Sequence, residues 1–201
     1  IRDSAPDALI DTYEQERRPH AADMVRLSHL IGKVVMATNQ PLVLARDLAI
    51  NASGLVPPLK RWITQMRFLK QPHYTTGCIV ASTRKIGAQM VGSALPQPSL
   101  NTEDHKEIPL DQLLGSGWSL VRLGVNQEVE IVQLPGRNKA IRGREVAGQF
   151  NHLTAGTTLI VRPDRYVAAV TTRAGERAAL TELATLVPSL GGKAPCSGCL
   201  N

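Results

Sequence analysis

Aromatic side chains are scarce in this sequence: two Trp, three Tyr and two Phe make up 3% of 201 residues. A core must therefore be assembled from Leu, Val, Ile and Ala, and no row of rings is present on which unpaired bases could stack. Long apolar runs are also lacking. The segment from Ile31 to Ala37 is interrupted by Gly32 and Lys33, far short of the roughly 18 apolar residues that a membrane helix needs. The N-terminal residues lack the charged, apolar and small-residue zones of a signal peptide. These absences lead to the expectation of a soluble, cytoplasmic protein that engages neither membrane nor nucleic acid. The excess of 23 basic over 17 acidic residues, +6 in all, is scattered over Arg17 and Arg18, Lys60 and Arg61, Arg84 and Lys85, and Arg142 and Arg144. Scattered surface charge of this kind is weakened by cellular salt.

Chemistry-bearing motifs are missing too. No G-x-G-x-x-G follows a strand pattern and no G-x-x-x-x-G-K-[ST] is present, so no phosphate cradle is visible. Of the five histidines, His20 and His29 share a helical segment but not a face, while His73, His105 and His152 stand alone. Ser116, in Gly115-Ser116-Gly117, lacks the spacing of a nucleophile elbow. Asp104 and His105 are adjacent without an oriented nucleophile, and Glu14 with Glu16 and Glu103 with Asp104 read as solvated carboxylates. Cys78 reads as a small core or loop residue. Cys196 and Cys199 form a C-x-x-C with only Leu200 and Asn201 after it. No helix can follow to stabilise a thiolate, and no second pair completes a four-ligand zinc site. That end reads as a tail, with a local disulfide or a metal role as alternatives. No catalytic, cofactor-binding or metal-ligating residue is assigned.

What is present is patterned. Ser4, Pro6 and Asp7 make a helix start, and Leu9, Ile10 and Tyr13 follow at helical spacing. Pro19 should end or kink that helix. A second helix is expected from about His20 to Ala37, burying Ala21, Met24, Leu27, Leu30 or Ile31, and Val34 or Val35. Short helices are expected from Leu42 to about Ala52 and from Leu59 to about Phe68. Residues 71–97, broken by Pro72, Gly77, Gly87, Gly92 and Pro96, read as a connector draped over a neighbouring surface. Beyond about Ile108 the texture becomes that of strands: Trp118 to Leu123, Glu130 to Leu134, Thr158 to Arg162 and Tyr166 to Val170, the last two a hairpin turned at Pro163-Asp164. A short helical turn ends at Gly115, and a final helix runs from Ala174 to Leu186. The expected class is α+β. Its parts are a helical segment over 1–70, a connector over 71–107, a small α/β domain over 108–190 and a tail over 191–201.

Four stretches match one family in order. Leu9-Ile10-Asp11-Thr12-Tyr13-Glu14-Gln15-Glu16-Arg17-Arg18-Pro19 resembles an "L-L-x-x-Y-x-x-E-R-R-P" helix. Leu55-Val56-Pro57-Pro58-Leu59-Lys60-Arg61 with Met66-Arg67-Phe68, Pro72 and Tyr74 is similar to a narrower branch. Leu110-Asp111-Gln112-Leu113-Leu114-Gly115 before Trp118 resembles "L-D-D-L-L-G-x-G-F". Val161-Arg162-Pro163-Asp164-Arg165-Tyr166-Val167-Ala168 resembles "V-R-P-D-x-Y-V-A". The family is that of the FAD-dependent aromatic hydroxylases, in particular the branch acting on 3-(3-hydroxyphenyl)propionate and related phenols.

The resemblance implies a parent enzyme in which NAD(P)H reduces FAD and the reduced flavin activates oxygen to hydroxylate a phenol. The family's flavin motifs precede the point corresponding to Ile1. The chain is therefore expected to be a C-terminal part, inactive alone and holding no cofactor itself, whose partner is the flavin-binding part of the same protein. The first residue, Ile1 rather than Met, agrees with that expectation. The resemblance further implies a thioredoxin-like C-terminal domain without redox cysteines, able to serve in homo-oligomer contacts. Glu16, Arg17 and Arg18 either tie the first helix to the flavin domain or form a solvated face. Between Leu123 and Glu130, where the family places a helix, only six residues are available.

Overall fold

The computed structural model describes residues 7–53, 57–58, 61, 71–81, 87–104, 106–134 and 140–190. It forms two compact units, one comprising residues 1–16 and 73–201 and the other residues 17–72. Predicted features at Ser4 and Pro6, over most of 59–68, at His105, and at Cys196 and Cys199 lie outside the described residues. Among the described residues, no helix is long and apolar enough to cross a membrane.

The first unit is built on one seven-stranded sheet: β1 Ser99–Thr102, β2 Glu107–Pro109, β3 Trp118–Leu123, β4 Glu128–Leu134, β5 Ile141–Glu145, β6 Thr157–Val161 and β7 Val167–Thr172. Their order is β2-β1-β5-β4-β3-β6-β7, and every neighbouring pair is antiparallel. The described residues combine helices with one antiparallel sheet. β3, β4, β6 and β7 fall where apolar β-branched runs predict them. β1, β2 and β5 were not expected, because Ser-Leu-Asn-Thr, Glu-Ile-Pro and Ile-Arg-Gly-Arg-Glu carry too few apolar residues to give a period. Charge complementarity across the ladder supports β5 instead, pairing Glu128 with Arg144 and Glu130 with Arg142. The short span after Leu123 is a two-residue hairpin turn, with Asn126 and Gln127 both left-handed at φ 55° and 63°, the geometry that matches strand twist.

Both faces of the sheet are packed. Val121, Leu123, Val129, Ile131, Leu159 and Val161 meet Leu110, Leu113 and Leu114 of α3, here Leu110–Leu114, together with Met90, Phe150 and Leu153. On the other face Trp118, Leu120, Ile160 and Ala168 meet Ala179 and Leu183 of α4, Glu176–Ala184, and Leu9 of α1 packs against this cluster. A short 3-10 turn, Arg173–Gly175, leads into α4.

The segment expected to drape over an absent neighbour instead serves this sheet. Val80 N donates to Ala168 O at 2.8 Å, Val167 N to Ser93 O at 2.9 Å and Leu95 N to Arg165 O at 2.8 Å. It thus covers the outer edge of β7, which would otherwise present unpaired backbone groups. Tyr74, Cys78, Met90, Val91 and Leu95 are buried along it. Its glycines and prolines hid these contacts from any reading based on periodicity. The boundary drawn between connector and domain at 107/108 accordingly falls inside the sheet, between Glu107 and Ile108 of β2.

The second unit contains most of α1, Asp7–Val35, and α2, Gln40–Ser53. α1 does not end at Pro19, which lies within it. Proline there removes the bond to the Gln15 carbonyl, but Gln15 and Pro19 are both exposed, so water takes the freed acceptor. The residues on either side are good helix formers. The end of α1 is tied down by Arg46, which donates to Val35 O at 3.0 Å and pairs with Asp47 at 2.8 Å. The predicted buried stripe of α1 is only half realised: Met24 and Leu27 are half-buried, whereas Leu30, Ile31, Val34 and Val35 are exposed.

Because α1 forms despite its proline, Pro19→Ala is expected to stabilise its helical signal by about 1–3 kcal/mol. Thermal melts followed by far-UV circular dichroism would measure this; an unchanged or lower midpoint would contradict it.

Candidate functional site

Residues of all four sequence motifs converge at the β6–β7 turn, Tyr74 standing for the second. Arg162 follows β6, and its guanidinium donates to both oxygens of Glu16 on α1, at 2.6 and 2.8 Å. Glu16 Oε1 also accepts the backbone N–H of Cys78 at 2.8 Å. The Glu16 side chain is 2% exposed and that of Arg162 12%, so this is a buried, charge-assisted, two-pronged pair. Arg162 additionally donates to Asp164 at 3.0 and 3.1 Å, and its cation lies 5.3 Å from the centre of the Tyr74 ring. Tyr74 in turn packs on Tyr166, with centroids 4.5 Å apart. Burial opposes the charge on Arg162, but the Glu16 hydrogen bonds and the Asp164 charge outweigh it and hold the group protonated beyond its ordinary range. Gly77 must lack a side chain, since a Cβ there would overlap the Glu16 carboxylate, and its φ of +100° favours glycine in any case.

The third motif joins through Arg165, left-handed at φ 69°, which pairs with Asp111 of α3 and donates to Gly115 O at 2.7 Å. Leu110 and Leu114 of the same motif are fully buried beneath it. Of the residues expected to bind a flavin domain or to lie on a solvated face, Glu16 therefore does neither. It is spent within its own unit. Arg17 and Arg18 lie beyond it, half-buried and exposed respectively.

A second charged cluster occupies the other end of the face covered by α4, in the ladder row Thr158–Arg122–Glu130–Arg142. Arg122 donates to both oxygens of Glu176, at 2.8 and 2.7 Å, and to Glu130 at 3.0 Å. Thr158 Oγ1 donates to Glu176 at 2.8 Å, and Arg142 reaches Glu130 at 3.1 Å. The Glu176 hydrogen bond leads in holding Arg122 above its ordinary pKa. Burial would raise Glu130, yet the hydrogen bonds from Arg122 and Arg142 prevail and lower it. This network floors an open cavity of about 730 Å³ whose rim includes Asn101, Glu103, Arg144 and Arg173. Sequence reading missed the network. The available signal was Arg122 itself, a charge at the same strand parity as the buried Trp118 and Leu120.

Neither cluster offers a free acid or base. The buried carboxylates Glu16, Glu145 and Glu176 are all engaged, Glu145 by the backbone N–H groups of Gln149 and Phe150. Burial pushes the Cys78 thiol up to about 11 despite the Arg162 charge, which makes it a poor nucleophile. Ser116, Glu103, Asp104, His29 and His73 are exposed, and His152 touches the sulfur of Met90 at 3.4 Å. Among the described residues, no group of three or more His, Cys, Asp or Glu could hold a metal ion.

Removing one partner of the Glu16–Arg162 pair strands a buried charge, so Glu16→Ala is expected to cost about 3–5 kcal/mol. The double change Glu16→Leu with Arg162→Met should cost clearly less than the single one; urea unfolding followed by fluorescence would report both. Glu130 gives a pH signature. Its folded pKa lies below the ordinary 4.5, so its contribution to stability is present above that value and is lost as the pH falls through the folded pKa. Glu130→Gln should flatten this acid limb; an unaltered limb would mean that the network contributes nothing.

Matches to known proteins cover most of the chain. It is 39% identical over 60% of its length to a 3-(3-hydroxy-phenyl)propionate/3-hydroxycinnamic acid hydroxylase of Mycolicibacterium vanbaalenii, 33% identical over 75% to one of Mycolicibacterium gilvum, and 29% identical over 83% to a second form from Burkholderia vietnamiensis. The corresponding shares of those proteins are 21%, 25% and 36%, so the chain spans about a fifth to a third of the length of the relatives it matches. No family model matches, and no solved structure matches. The matched part is C-terminal, and over it the chain is similar to 3-(3-hydroxyphenyl)propionate/3-hydroxycinnamic acid hydroxylases.

Proposed function

We propose that the chain is the C-terminal, non-catalytic part of a cytoplasmic FAD-dependent, NAD(P)H-using monooxygenase that hydroxylates a phenolic compound such as 3-(3-hydroxyphenyl)propionate in aromatic catabolism. The observation that carries this reading is the convergence of residues from four hydroxylase-like motifs on the β6–β7 turn, in a chain whose relatives bear hydroxylase names. FAD supplies hydride acceptance and oxygen activation when bound. The described residues do not fit it: no glycine-rich strand-to-helix turn is available for a pyrophosphate, and in the groove beside Arg122 the cations Arg122, Arg142 and Arg173 are already paired with Glu130. The reading therefore assigns the flavin to the portion of the relatives outside the match and gives no reaction step to this chain. What its residues do is hold α1 in register with the sheet through Glu16 and Arg162. A thioredoxin-like ancestry of the β6–β7 hairpin with α4 belongs to the same proposal.

A second reading, a module for homo-oligomer contacts, is favoured by the exposed apolar residues of α1 and α2. The first reading is tested by flavin retention. After mixing with FAD and gel filtration, the isolated chain is expected to elute without flavin absorbance and to consume no NADPH with a phenol present. Stoichiometric retained flavin would overturn the non-catalytic assignment.

A further inference from the structure

The groove beside Arg122 is crossed by two polar rows of the sheet that differ in one respect. In the row already described every charge is engaged: Arg122 with Glu176 and Glu130, and Arg142 and Arg173 with Glu130. In the neighbouring row Asn101 of β1 stands opposite Arg144 of β5, and Arg144 opposite Glu128 of β4. All three line the groove and are exposed. Among the described residues, no side-chain hydrogen bond or ion pair engages the Arg144 guanidinium or the Asn101 amide. Directly opposed residues on one sheet face lie about 5 Å apart at Cβ. A cation and an amide donor therefore stand side by side with their bonding capacity unused.

Arg142 lies two residues before Arg144, on the same face of β5. It donates to Glu130 from one edge of its guanidinium, through Nε at 3.3 Å and Nη2 at 3.1 Å. The flat face is left open, and the side chain is 68% exposed. A guanidinium bonded at its edge and bare on its face is a stacking platform for an aromatic ring.

The surrounding charges decide which anion fits. Four arginines line the groove, but Glu103, Glu128 and Glu130 share it, and Glu176 engages Arg122. A near-neutral groove does not gather anions from a distance, and a phosphate dianion would meet the three wall carboxylates. A single carboxylate needs one guanidinium and one further donor. The cavity, about 730 Å³, is of a size that takes small organic molecules.

We propose that this groove is a non-catalytic binding site for a small aromatic carboxylate, with the carboxylate held by Arg144 and Asn101 and the ring stacked on Arg142. The origin of the ligand rests on the functional reading above: the hydroxylase relatives are named for compounds of this class, so the site would hold substrate or product apart from the reaction centre.

The test is a titration of the chain with 3-phenylpropionate followed by amide NMR shifts. Saturable shifts at Asn101, Gly143 and Arg144 are expected, with a Kd of about 1 mM or lower. Arg144→Gln is expected to weaken binding at least about tenfold, and Asn101→Ala by a smaller factor. Arg142→Lys keeps the charge but not the flat face, so it should weaken 3-phenylpropionate and leave propionate unaltered. Arg26→Gln, on α1 and outside the groove, should change nothing. Arg144 and Asn101 are both exposed, so the variants should melt as the parent chain does; should Arg144→Gln fail to fold, Asn101→Ala carries the test. No saturable shift up to about 20 mM ligand, binding unaltered by Arg144→Gln, or an equal loss with Arg26→Gln would each overturn the proposal. Inorganic phosphate binding as tightly as 3-phenylpropionate would overturn it too, since the groove would then be a general anion site. The functional reading fails on a different observation, flavin retained by the isolated chain. That result with Arg144-dependent binding would leave the site standing without its link to the hydroxylases, and a flavin-free chain that binds no carboxylate would do the reverse.

Discussion

The architecture of the sheet unit depends on one buried ion pair. Glu16 and Arg162 are 146 positions apart, and each would be costly to bury alone. Together they fix the start of α1 against the C-terminal hairpin, and everything near them is arranged to make the pairing tolerable. The Cys78 amide supplies a third donor to the carboxylate, Asp164 takes the remaining guanidinium donors, Tyr74 lies under the cation, and Gly77 leaves room. The pair contributes specificity of register more than raw stability. A well-packed apolar pair of similar volume would hold the same elements together, but it would accept neighbouring positions of the helix as readily as this one.

The second charged row has a different character. Arg122 and Glu130 lie on strands at the parity of residues that face the core, with Glu176 of α4 against them, yet they sit at the wet end of the face, beside an open groove. Their charges are balanced locally, so the groove is polar without being an attractor of either sign. This arrangement lets the end of the sheet face beyond α4 stay open without exposing apolar surface.

Legibility from sequence followed the strength of local pattern. β3, β6 and β7 could be read because Trp118-Ser119-Leu120-Val121, Thr158-Leu159-Ile160-Val161 and Val167-Ala168-Ala169-Val170 are dense in strand formers. β5 could not, because Ile141-Arg142-Gly143-Arg144 is held by partners on β4 that no local window contains. Glu16 was visible as part of a motif, but its neighbours Glu14 and Arg17 made it look like one more surface charge. Burial was decided by Arg162, far away in sequence. The segment at 71–97 failed for the reverse reason: its glycines and prolines read as a loop, and the bonds that make it an edge cover belong to β7. Pro19 marks the limit of propensity rules, since one missing bond on a solvated side does not stop a helix that is otherwise favourable.

The distance in sequence between Glu16 and Arg162 also constrains how the chain can be made. At about 5–20 residues per second, the ribosome extrudes the glutamate roughly 7–30 s before its arginine. Throughout that interval the opening helix is without its anchor, and the largest loop in the sheet unit is unclosed. Correct assembly is therefore a late event, timed by the final hairpin, and a nascent chain that stalls before the end of β6 leaves the Glu16 carboxylate without its cation.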